Sequence, residues 1–160
     1  MSLFFPAGDT LDAAQAVMDN GIFDALLSGN IHHVHTILMQ YPSAASSRDE
    51  KDNTVAMIAA MHGHTDVLVH IRELSIELLA GTNKYGMNTA HYAALCNQPP
   101  VLNFLWMHCP ALFFERNFWG NTPAGMFVFR APSIYFLTRK FQPRPNDTQM
   151  MKLRISSLHW

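Results

Sequence analysis

Short apolar stripes recur along the middle of the chain. Val34, Ile37 and Leu38 form one set, Val67, Leu68 and Ile71 a second, and Val101, Leu102 and Leu105 a third. Offsets of three and four place each set on one helical face, so each predicts a short helix with a single buried stripe. Ahead of the second and third stripes lie stretches of another kind, marked by the pairs Ala59-Ala60 and Ala93-Ala94. Small side chains let a neighbouring helix approach closely, so these stretches predict helices packed on more than one side. Polar turn formers separate the blocks: Asp49, Asn83 and Asn117, each able to bond its own following backbone.

These features share one period. Segments starting at Asp49, Asn83 and Asn117 align without gaps at a spacing of 34 residues. Asp52, Gly86 and Gly120 fall where a tight turn calls for φ > 0, which Gly takes freely and Asp tolerates. Thr54, Asn88 and Thr122 can each cap the helix that follows, and Pro123 suits a first helical position. The connectors keep register too, with Pro42, Ile76 and Pro110 followed by Ala44, Leu78 and Leu112. Each unit therefore reads as turn, short helix, short helix, connector. The expected division of one domain over residues 1–160 is 15–48, 49–82, 83–116 and 117–142, with a C-terminal capping segment at 143–160.

The unit resembles the ankyrin repeat. The second unit carries Asp49, Thr54, Ala59-Ala60 and Gly63-His64; the third adds Gly86 and His91-Tyr92-Ala93-Ala94; the fourth adds Gly120-Asn121-Thr122-Pro123. One period earlier, Ile22, Phe23, Ala25, Leu26, Gly29 and Asn30 fall on the same template, in a unit without a recognisable turn. The fourth departs most, with Gly125 at the helix histidine, Phe127-Val128 at the alanine pair and Pro132 where its second helix begins. Terminal repeats are expected to be atypical because one side lacks a neighbour. A tetratricopeptide repeat has the same length but needs large aromatic and Leu-Gly positions where this chain has Ala-Ala, which excludes it. The resemblance implies an all-α solenoid of stacked helix-turn-helix pairs with projecting turns. Helices starting near Asp9 or Thr10 and near Asn146 or Asp147 are expected to cap its ends.

It also implies where a partner would lie. In ankyrin proteins the turn tips and the outer face of each first helix form a concave binding surface. Carried over, the tip positions are Glu50, Lys51 and Asn53; Lys84, Tyr85 and Met87; and Phe118, Trp119 and Asn121. The helix-face positions are Met61 and His62, Leu95 and Cys96, and Phe129 and Arg130. Tyr85, Phe118 and Trp119 stand out, since aromatics at a tip have little core to enter and suit binding hot spots. Packing of Phe118 and Trp119 against the C-terminal segment is the competing role.

Composition adds bounds. With 160 residues and 49% hydrophobic content the chain can bury a core without metals or disulfides. Two cysteines, Cys96 and Cys109, are too few for a disulfide framework and suggest a reducing, cytoplasmic setting. No apolar run is long enough to span a membrane, and the N-terminus lacks the basic and apolar regions of a secretory signal. Net charge is −1, but residues 1–129 carry 5 basic and 11 acidic side chains while 130–160 carry 6 basic and 1 acidic. A basic terminal element lying over an acidic body is favoured over nucleic-acid binding.

Nine histidines raise the question of metal. His32, His33 and His35 cluster, and His32 with His35 lie one helical turn apart, but no Cys pair, nearby Glu or His-Glu-x-x-His completes a ligand set. A polar outer face is the favoured role there, and structural roles are favoured for His62, His64 and His91. Phosphate-loop, dinucleotide and serine-nucleophile motifs are absent, and neither Cys96 with His91 nor Cys109 with His108 makes a catalytic pair by adjacency alone. The expectation is a non-enzymatic module, without cofactor, metal or small-molecule substrate, that binds a protein or peptide and is itself a monomer. The alternatives are a small metal-dependent or nucleophilic enzyme on the same scaffold, or an adaptor segment or bacterial effector acting in a host cytosol.

Overall fold

The computed structural model describes residues 21–130, with side chains to residue 126. Seven α-helices follow in order among them: α1 over residues 21–27, α2 Ile31–Gln40, α3 Val55–His62, α4 Thr65–Leu74, α5 Thr89–Leu95, α6 Pro99–His108 and α7 Pro123–Arg130. Single 3₁₀ turns at Pro42–Ser46, Ile76–Leu79 and Pro110–Phe114 connect one helix pair to the next. The expected capping helices at both chain ends, and the second helix of the fourth unit, lie outside the described residues.

The helices form two layers. The inner layer stacks α3 on α5 and α5 on α7, while the outer layer places α2 beside α4 and α4 beside α6. Every side chain from Val55 to Ala60 in α3 is buried, as are Ala90, His91, Ala93 and Ala94 in α5. Both helices are therefore packed on several sides, which the alanine pairs permit. The outer helices bury only the stripes read from the sequence: Val34, Ile37 and Leu38 in α2, Val67, Leu68 and Ile71 in α4, Val101, Leu102 and Leu105 in α6.

The helices α1, α3 and α5 are each followed by a left-handed residue that turns the chain into the next helix. These are Gly29, Gly63 and Asn97, with φ of 73°, 81° and 52° and a constant spacing of 34 residues. At Gly63 a side chain would also collide with Gln98, whose amide would stand 2.6 Å from a Cβ. Gln98 in turn donates from Nε2 to the Met61 carbonyl at 3.0 Å, tying neighbouring units together.

Candidate functional site

The turns ahead of α3, α5 and α7 are built alike. Oδ1 of Asp49 accepts from Lys51 N–H and Asn53 N–H, both at 2.8 Å. Oδ1 of Asn83 accepts from Tyr85 N–H at 2.9 Å and Met87 N–H at 3.0 Å. Oδ1 of Asn117 accepts from Trp119 N–H at 3.1 Å and Asn121 N–H at 3.0 Å. The fourth residue of each turn has positive φ: 64° at Asp52, 70° at Gly86 and 78° at Gly120. Thr54, Asn88 and Thr122 then cap the next helix by accepting from Met57, His91 and Gly125 N–H. One short polar side chain thus organises each tip, and its two central residues are left projecting.

Buried polar bonds hold successive tips in line. Asn83 Nδ2 donates to Asn53 Oδ1 at 2.7 Å, and the Tyr92 hydroxyl donates to the same oxygen at 2.7 Å. His91 Nδ1 accepts from Asn88 N–H at 3.1 Å, which leaves the proton on Nε2 to be donated to the Asn121 carbonyl at 3.0 Å. Burial holds the His91 imidazole below its ordinary pKa, partly opposed by that bond to Asn121. Burial chiefly raises the Tyr92 phenol, with Asp49 adding to it. Further out, Phe118 N–H donates to the Tyr85 carbonyl at 3.0 Å.

Tyr85 and Trp119, from neighbouring tips, stack with centroids 5.7 Å apart, and the Lys84 ammonium lies 5.4 Å from the Tyr85 ring. Phe118 lies over Gly86, where an added Cβ would stand 2.8 Å from its ring. Phe118 is 77% exposed and Trp119 64%, so among the described residues neither is packed away. Beneath the tips the concave face carries two hollows. One of about 320 Å³ is lined by Phe23, Leu27, Asp49, Lys51, Ile58 and Met61 among others. The other, of about 420 Å³, is lined by Leu95, Arg116, Gly120, Asn121, Gly125 and Met126 among others. Tyr92, held by its bond to Asn53, stands on α5 at the edge of the first.

The structure sorts the residues expected on this surface. Glu50, Lys51, His62, Lys84, Phe118, Trp119 and Asn121 are exposed; Met61, Tyr85, Leu95 and Cys96 are half-buried. Asn53 and Met87 are a correction. They are 3% and 7% exposed: Asn53 turns inward to accept from Asn83 and Tyr92, and the Met87 side chain is buried. Asn121, the same position in the last described tip, remains exposed. The Phe129 and Arg130 side chains lie outside the description. Sequence reasoning missed Tyr92, Phe23, Leu27 and Met126, although 34-residue register relates Ile58, Tyr92 and Met126 to one another.

On the opposite, outer face His32 and His33 are exposed. His35 differs from the expected solvent-facing role, since its Nδ1 meets Nδ1 of His70 at 3.0 Å and its Nε2 stands 3.6 Å from Asp66. Among the described residues no group of three or more His, Cys, Asp or Glu side chains could hold a metal ion. Cys96 and Cys109 are not joined in a disulfide among the described residues, and burial pushes Cys109 above its ordinary pKa. No described helix is long and apolar enough to cross a membrane.

Stacked helix pairs with a constant period, aligned projecting turns and a concave face define a repeat solenoid. The family model of ankyrin repeats, in three copies, matches residues 14–112, and the chain belongs to that family. No curated protein matches. Among solved structures, a chain in the crystal structure of the yeast ribosomal protein Rps3 in complex with its chaperone Yar1 is similar in fold. The TM-score is 0.67 and the identity 22%, over 79% of this chain and 95% of that one.

Proposed function

We propose that this chain is a non-enzymatic interaction module that receives a protein or peptide segment along its concave face and turn tips, in the cytoplasm of the cell where it acts. The observation that carries this reading is the ledge at the tips. Tyr85 and Trp119 stack across two units, Phe118 projects beside them, and all three are held by backbone bonds rather than by core packing. Rigid aromatics on an exposed surface offer large contact area at little further cost in conformational freedom. The family, and the similar structure of the ribosomal protein Rps3 in complex with its chaperone Yar1, support a polypeptide partner.

Tyr85→Ala and Trp119→Ala test it. Truncating a true hot spot costs about 2 kcal/mol or more of binding, roughly thirtyfold in affinity. Stability should stay within about 0.5 kcal/mol for the exposed Trp119, and Tyr85→Ala, at a half-buried position, should cost more. Isothermal titration with a partner selected from a peptide library, alongside thermal unfolding, separates the two effects. Unchanged affinity in both variants would move the binding surface away from the ledge.

A further inference from the structure

The repeat carries its own internal comparison at the base of each tip. Arg48 and Arg116 are register equivalents, 68 residues or two periods apart, and so are Asp52 and Gly120. Arg48 Nη1 donates to the Asp52 carbonyl at 3.0 Å and to the Thr82 carbonyl of the next unit at 2.8 Å, and pairs with the Asp52 carboxylate at 3.1 Å; the position equivalent to Thr82 for Arg116 lies outside the described residues. Arg116 Nη1 makes the same first contact, to the Gly120 carbonyl at 2.6 Å. The carboxylate contact has no counterpart, because Gly120 has no carboxylate to offer, and among the described residues no other acid faces the Arg116 guanidinium. The space is open as well: a Cβ built on Gly120 would meet no atom within 4 Å. Arg116 also lines the larger concave hollow, whose other walls include the apolar Leu95 and Met126 and the side-chain-free Gly125. Gly125 stands in register with the buried His91, so the hollow lies where the preceding unit places a ring.

We infer that Arg116 receives a carboxylate of the partner, in the place the Asp52 side chain takes two units earlier, with a neighbouring apolar side chain of the partner entering the hollow. The partner segment is thus acidic and apolar in close sequence. This rests on the concave-face reading and names the chemistry that face selects. An Arg held, among the described residues, by one backbone bond keeps its remaining N–H donors for a bidentate carboxylate contact. Lys84, in the adjoining tip, lies over the Tyr85 ring that stacks on Trp119.

The test pans a phage-displayed random dodecapeptide library on the full chain and on Gly120→Asp, Gly120→Asn and Arg116→Gln. Gly120→Asp restores the carboxylate that unit two already carries at positive φ, so the fold should accept it; Gly120→Asn makes the same steric change without charge. The expected result is enrichment of Asp or Glu beside an apolar residue on the wild type, lost on Gly120→Asp and Arg116→Gln and weakened less on Gly120→Asn, whose amide enters the same space without the charge. A synthetic peptide carrying the enriched motif should bind Gly120→Asp roughly tenfold more weakly than wild type, the scale of one charge-assisted bond. Peptides that bind the ledge, as judged by loss on Trp119→Ala, but show no acidic preference would overturn this inference alone. So would an acidic preference that survives Gly120→Asp. Failure of the wild type to enrich any peptide sensitive to Trp119→Ala would overturn the concave-face reading and this inference with it.

Discussion

His91 shows how one side chain joins two units. It is fully buried, accepts from the Asn88 backbone inside its own turn and donates to the Asn121 carbonyl of the next. The neutral ring does both; a proton on Nδ1 would break the bond from Asn88 N–H, face Asn88 Oδ1 at 2.8 Å instead, and place a charge in the core. Its folded pKa is held down by burial, so between that value and the unfolded value of about 6.5 the unfolded chain binds more protons. Stability therefore rises with pH through this window, and the contribution is lost as pH falls below about 6.5 toward the folded pKa. The thermal midpoint should drop between pH ~7.5 and ~5, and the drop should be smaller in His91→Gln, which has no group to titrate there. Equal slopes in the two proteins would mean that other groups carry the acid sensitivity. The sequence placed His91 at the family's helix histidine, but the Asn121 partner thirty residues on belongs to packing.

At the scale of elements, the turn is the unit that repeats most faithfully. Its residue types were legible because each is forced by local geometry: an acceptor side chain at Asp49, Asn83 and Asn117, and tolerance of positive φ at Asp52, Gly86 and Gly120. What local geometry does not reveal is which tips are braced from outside. Asn83 bonds its own turn and also reaches Asn53 and Tyr92, whereas Asn117 makes only the bonds within its own turn among the described residues. Asn83→Ala should thus destabilise the chain by more than about 2 kcal/mol, as it strands several buried polar partners. Asn117→Ala should cost less. Urea unfolding of the two variants under one condition checks the order, and a reversed order would place the load on the last tip. The same dependence on neighbours explains the burial of Asn53, which turns inward because Asn83 and Tyr92 of the following unit are there to receive it.

For the whole molecule, stability comes from stacking, because each helix pair buries its apolar face against the next. The inner helices α3 and α5 have neighbours on both sides, while α2 presents His32, His33 and Met39 to solvent. Amide exchange should consequently be slowest in α3 and α5 and faster in α2 and the tip loops. Uniform protection from α1 to α6 would show instead that the described stack opens as one unit. The sequence by itself determined the period, the helix pairs, the turn chemistry and the buried stripes, since all of these follow from backbone geometry and burial within about one unit. Tertiary structure alone decided which projecting residues stay exposed, where the concave hollows lie, and that among the described residues Arg48 meets a carboxylate while Arg116 meets only a backbone carbonyl. Those properties depend on what the adjoining unit places opposite each side chain. A single repeat cannot specify that, because it does not contain its neighbour.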